Sequence, residues 1–185
     1  IIAHLGLSAA VIFLCVQINR LTAKEVFQRL YFKEELFMPT TSHLLFNNTH
    51  YIGSIKNKIR EKIHSKFDIS LLNAQDEQED EIKSRKLIAT AVSQIRIALK
   101  GNAMLLQHNI EYGFWRNLIG GCLWAVIFSA VIFFYGMHYH LQDLKVIGII
   151  CFSIYLVPIL LSKIIINYYG RYYSKILYEQ FLSLS

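Results

Sequence analysis

Three stretches of this chain carry no Asp, Glu, Lys or Arg over about the length needed to cross a bilayer, and nothing else in the sequence limits its fold so sharply. Residues 1–19 form the first, with Leu5-Gly6-Leu7-Ser8-Ala9-Ala10-Val11-Ile12-Phe13-Leu14-Cys15-Val16 at its centre. Residues 117–142 form the second, and residues 146–162 the third, which is as short as a span can be. Lys163 lengthens the third by snorkelling, so that Ile164, Ile165 and Ile166 extend it, and Pro158 predicts a bend inside it. A cleaved signal peptide would begin with basic residues and end in small ones. The first block instead runs through Gln17-Ile18-Asn19-Arg20 into helix-forming sequence. With Ile1 rather than Met at its head, the chain is expected to begin inside a longer product.

Charge then sets the expected sides. Of 19 Lys and Arg in the chain, 15 fall in residues 20–116, beside 11 Asp and Glu. Because basic loops are retained in the cytoplasm, this section and the C-terminal residues 168–185 are expected inside, and the turn around residues 138–145 outside. The expected class is all-α: membrane helices over residues 1–19, 117–142 (with the start of the outer turn) and 143–167, and a helical cytoplasmic section inserted between the first two. Trp115, Tyr135, Tyr139, Tyr168, Tyr169, Tyr172 and Tyr173 lie near the block ends, where aromatic belts form.

Within the polar section, Val26, Phe27, Leu30 and Tyr31 form an apolar stripe that is expected to continue the first span as far as Pro39-Thr40-Thr41. Ile52, Ile55, Ile59 and Ile63 share one face of a helix whose remaining faces carry Lys56, Lys58, Arg60, Lys62 and Lys66. Residues 76–81 read as an acidic linker. Beyond it, Ile88, Val92, Ile95, Leu99, Ala103, Leu106 and Ile110 recur at coiled-coil intervals, with Gly101-Asn102 as a weak point, and offer a surface to neighbouring copies.

Catalytic chemistry finds little support. Cys15, Cys122 and Cys151 all lie in hydrophobic blocks, where a thiolate is disfavoured, so they read as packing residues. His138 and His140 have only Asp143 nearby, too few ligands for zinc. Arg60 and His64 are separated by three residues, whereas HEPN-type ribonucleases place four to six between their Arg and His, and the pair reads as a solvated helix face. No metal, cofactor or small-molecule substrate is expected.

Polar groups at membrane depth carry more information. His4, Ser8, Cys15 and Asn19 fall on one stripe of the first helix, which should face other helices or a hydrated path, since such groups rarely face lipid. His108, Glu111, Arg116 and Asn117 cluster with Trp115 at the entrance to the second span. Glu111 and Arg116 are five residues apart, poorly spaced to pair within one helix, and could line a path across subunits. A packing face on the first helix and interfacial anchoring by Arg116 and Trp115 are the alternative readings, and both stay open.

The run Leu105-Leu106-Gln107-His108-Asn109-Ile110-Glu111-Tyr112-Gly113-Phe114-Trp115-Arg116-Asn117-Leu118-Ile119-Gly120-Gly121, with Phe37-Met38-Pro39-Thr40-Thr41 upstream, resembles small bacterial integral membrane proteins. In size and membrane content the chain is also similar to the accessory membrane proteins of type VI, RNA-targeting CRISPR loci. That resemblance implies an oligomeric inner-membrane pore that depolarises the cell in antiviral defence. The expected pore or gate residues are His4, Ser8, Asn19, His108, Glu111, Arg116 and Asn117; the expected partners are sister copies, the lipid bilayer, and a CRISPR effector or RNA. The runner-up is a non-conducting scaffold whose Lys56, Lys58, Arg60 and Lys62 contact a partner or lipid headgroups.

Overall fold

A computed structural model describes residues 2–33 and 35–184; the side chains of residues 2–5, His4 among them, and of Glu35 lie outside the described set. The chain is all-α, with no strand among the described residues. Its helices are α1 (Ile2–Thr22), α2 (Arg29–Phe32), α3 (Pro39–Ser42), α4 (Gly53–Phe67), α5 (Ala74–Glu79), α6 (Glu81–Ala98), α7 (Ala103–His138), α8 (Gln142–Leu160) and α9 (Ser162–Ser183). A π-helical turn, Ala23–Gln28, joins α1 to α2, and a 3₁₀ turn, Glu35–Phe37, precedes α3. Three helical stretches are long and apolar enough to cross a membrane: Gly6–Phe32, Ala103–His138 and Gln142–Leu160. The chain is thus a membrane protein in its composition and helix lengths.

Two compact units divide the chain, one of Ile1–Tyr31 with Gly113–Ile166, the other of Phe32–Tyr112 with Asn167–Ser185. In the first unit, glycine sets how closely helices approach. A Cβ at Gly120 would stand 2.6 Å from the Asn19 carbonyl oxygen and 2.8 Å from the Ala23 Cβ, so α7 meets the end of α1 backbone to backbone. Gly148 does the same for α8 and α7, since a Cβ there would fall 2.8 Å from the Phe133 nitrogen. Small residues permit such contact where hydrocarbon supplies no drive to associate.

The second unit has a conventional apolar core. Ile59 and Ile63 of α4, Ile88, Val92 and Ile95 of α6, and Ile176, Leu177 and Phe181 of α9 pack around Leu44 and Leu45. Polar caps mark the helix starts. The Asn73 side chain accepts from the Gln75 and Asp76 amides at 2.9 Å each, opening α5, and Asp80 accepts from Lys83 at 2.9 Å, opening α6.

Several expected elements differ. The π-turn adds a residue to its turn, so the 26, 27, 30 and 31 stripe does not hold: Phe27 is buried while Val26 and Leu30 are exposed. Residues 76–81 are no linker, because α5 and the start of α6 occupy them. The 88–110 seam breaks at its expected weak point: Gly101, with a φ of +91°, ends the run, and Asn102 caps α7 by accepting the Leu105 amide at 2.9 Å. Ile88, Val92, Ile95 and Leu99 are spent on the chain's own core, whereas Leu106 and Ile110 are exposed. The seam therefore offers neighbours only its second half. The second hydrophobic block belongs to one helix that runs from Ala103 to His138, and the turn after it is confined to the residues between His138 and Gln142. Beyond Pro158 the third span ends at Leu160 and a new helix starts at Ser162, so Ile164, Ile165 and Ile166 belong to α9. The C-terminal section is helical as far as Ser183, and α9 buries Ile176, Leu177, Tyr178 and Phe181.

Candidate functional site

Each unit holds a polar cluster. In the first, they tie helix to helix. Arg116 of α7 donates through Nη1 to the Gln28 Oε1 at 2.8 Å, and the Trp124 indole donates to the Thr22 hydroxyl at 3.0 Å. Asn19, half-buried, lies with its Nδ2 3.2 Å from where a Gly121 Cβ would stand. Tyr31 and Ser162 share a hydroxyl–hydroxyl bond, and Ser129 returns its hydroxyl to the Ala125 carbonyl at 2.7 Å. The polar stripe expected on α1 therefore splits: Asn19 is packed against α7, while Ser8 and Cys15 are exposed because α7 covers only the end of α1. Asn117, half-buried, keeps its Oδ1 buried without a hydrogen-bond partner among the described residues.

As their five-residue spacing predicts, Glu111 and Arg116 do not pair within the helix, and each takes another partner in the chain. Glu111 lies 3.2 Å from the His108 Nδ1 and accepts from Gln107 at 3.2 Å, both within one turn of α7. His108 in turn sits edge-on to the Tyr172 ring, centroids 4.7 Å apart.

The basic helix α4 departs furthest from expectation. Lys56 is 4% exposed. Its ammonium donates to the carbonyls of Leu45 at 2.6 Å, Phe46 at 3.3 Å and Asn48, closing the loop after α3. Arg60 donates to the carbonyls of Leu44, at 2.8 Å, and Leu72, with its guanidinium 4.2 Å above the Phe46 ring. Glu77 is buried beside them: it accepts the Phe46 amide at 2.6 Å and the Ser84 hydroxyl at 2.8 Å, and stands 4.0 Å from Arg60. Burial lowers the pKa values of Lys56 and Arg60, and the Glu77 carboxylate opposes that shift in both. Lys62 donates to the carbonyls of Leu182, at 3.0 Å, and Leu184. Of the four expected contact residues, Lys58 alone stays exposed, and the reading of Arg60 as a solvated face is corrected. The basic face served the fold because the loop and chain end that it meets present carbonyls needing donors.

The same loop carries His43 and His50, their rings stacked at 3.8 Å, with Tyr51 edge-on to both. His43 Nδ1 bonds the Ser174 hydroxyl at 2.9 Å. A serine beside an imidazole is the start of a nucleophile–base pair, but this one cannot serve as such: Ser174 is 0% exposed, so no substrate reaches it. Burial, then the positive fields of His50, Arg171 and Lys56, push the His43 imidazole down to about 3, too weak a base for proton abstraction near neutrality. It is a packing pair. No group of three or more His, Cys, Asp or Glu among the described residues is placed to hold a metal.

No family model, curated protein or solved structure matches the chain. Sequence reasoning missed Thr22, Gln28 and Trp124 as interhelical partners, and Glu77 as a buried acceptor. A Glu flanked by helix caps at Asn73 and Asp80 was the available signal for the last.

Proposed function

We propose that the chain is a non-enzymatic membrane protein of the bacterial inner membrane that holds a folded helical unit at the bilayer surface as an attachment point for a partner, without conducting. The pairing of Arg116 with Gln28 and of Trp124 with Thr22 inside one chain carries this reading, since polar groups engaged with one another leave little to line a hydrated path. The section rich in Lys and Arg lies on the cytoplasmic side. Reconstitution into liposomes under an imposed potential tests it. The potential should hold as in lipid alone, and a leak altered by Arg116→Gln would overturn it.

A conducting oligomer is the second reading, favoured by one observation. From Gly6 to Val16 every residue of α1 is exposed, Ser8 included, so sister copies have a whole helix to pack against. In that reading the chain is an antiviral depolarising pore, as its similarity to CRISPR-associated membrane proteins implies. The oligomer's mass in a membrane mimic, with leak that responds to Ser8→Leu, separates it from the first.

A further inference from the structure

One face of α9 is spent and the other is bare. Ile176, Leu177 and Phe181 enter the core of the polar unit, while Ile164, Tyr168, Arg171, Tyr172, Lys175 and Glu179 are exposed. Their offsets of four, seven, eight, eleven and fifteen residues keep them on one side of the helix. Along the axis this stripe passes from aliphatic to aromatic to cationic to anionic, the order of environments that a helix meets on leaving hydrocarbon through headgroups into water.

Side chains on a helix lean toward its N-terminus, which brings the Arg171 guanidinium back to the level of Tyr168. Between Ser162 and Tyr178 the chain holds Lys163, Arg171 and Lys175 and no Asp or Glu. Among the described residues Arg171 enters no ion pair, and Lys175 makes a loose one with Glu179 at 3.8 Å. The Tyr168 and Tyr172 rings lie parallel, 7° apart in plane, and His108 braces Tyr172 from the side.

We propose that this face of α9 binds the headgroup phosphate of anionic phospholipids. Arg171 grips it with its planar fork, Lys175 adds a second cation, and the Tyr168–Tyr172 pair lies against the glycerol backbone. The site rests on the membrane reading and deepens it by naming a lipid class.

The test uses the full chain purified in neutral detergent and exposed to equal amounts of phosphatidylglycerol and phosphatidylcholine with the same acyl chains, bound lipid being counted by native mass spectrometry. Wild type should retain phosphatidylglycerol preferentially. Each basic residue near an anionic surface contributes roughly fivefold, so Arg171→Gln with Lys175→Gln should weaken that preference by about twenty-fivefold. R171K should keep part of it, and Lys86→Gln, at an exposed lysine on α6, should keep all of it. Equal retention of the two lipids by wild type overturns the site without any variant, as does an equal loss in Lys86→Gln. A chain released from membranes by alkaline carbonate overturns the membrane reading itself; one that needs detergent yet ignores headgroup charge overturns only the lipid site.

Discussion

At the scale of single residues, burial converts two ordinary side chains into sensitive ones. His43 binds a proton in the unfolded chain near its usual 6.5, but in the folded chain only near 3. The unfolded state therefore takes up more protons between those values, and stability that is full above about pH 6.5 falls as pH drops toward 3. His50, lowered by burial and by Arg171 and Lys175, acts in the same direction. At pH 5 the His43 displacement amounts to about 2 kcal/mol. Thermal unfolding at pH 7.5 and pH 5 should show a drop that His43→Gln largely removes. Lys56 and Lys58 look alike in the sequence, two residues apart on one basic helix. Replacing Lys56 by Met leaves three loop carbonyls without their donor and should cost about 2–4 kcal/mol, whereas Lys58→Met should stay within about 0.5 kcal/mol. Equal midpoints in denaturant titrations of the two variants would contradict that contrast.

Among the elements, the break between α6 and α7 shows how one turn redirects an apolar pattern. The heptad-like spacing through 88–110 is regular enough to suggest one long helix. Gly101 at φ +91° and the Asn102 cap instead end α6 and start α7 afresh. Asn102 also donates to Gln180 at 2.8 Å, tying the turn to α9. Asn102→Ala should cost about 1 kcal/mol for the cap, with a further increment for the Gln180 bond, measurable as a lower unfolding midpoint. Gly101→Ala should destabilise as well, since alanine resists that φ. The π-turn after α1 teaches the same lesson from the other side: a single added residue rotates Val26 and Leu30 away from the face that holds Phe27.

For the whole molecule, the pattern of charge predicts a sidedness that labelling can read. In intact cells, with native cysteines replaced, a cysteine at exposed Lys58 should resist a membrane-impermeant maleimide, and one at exposed His140 should react. The opposite result would invert the assignment. Membrane segments were legible because long uncharged runs need only be counted, and the helical class followed because backbone groups in hydrocarbon must bond within their own segment. The division into two units was legible only in outline, since α9 reads as a tail until its Ile176, Leu177 and Phe181 are seen to fill the core.

The sequence alone determined which segments favour lipid and that the chain is helical, because hydrophobicity and charge act over a few neighbouring residues. It could not determine which polar groups are already partnered. Lys56 with the 45–48 carbonyls, Arg116 with Gln28, and Trp124 with Thr22 join residues from 8 to 102 positions apart. Hydrogen bonds form by position in space and leave no periodic trace along the chain, so only the tertiary structure decided which charges hold the fold and which, like Arg171, still face outward.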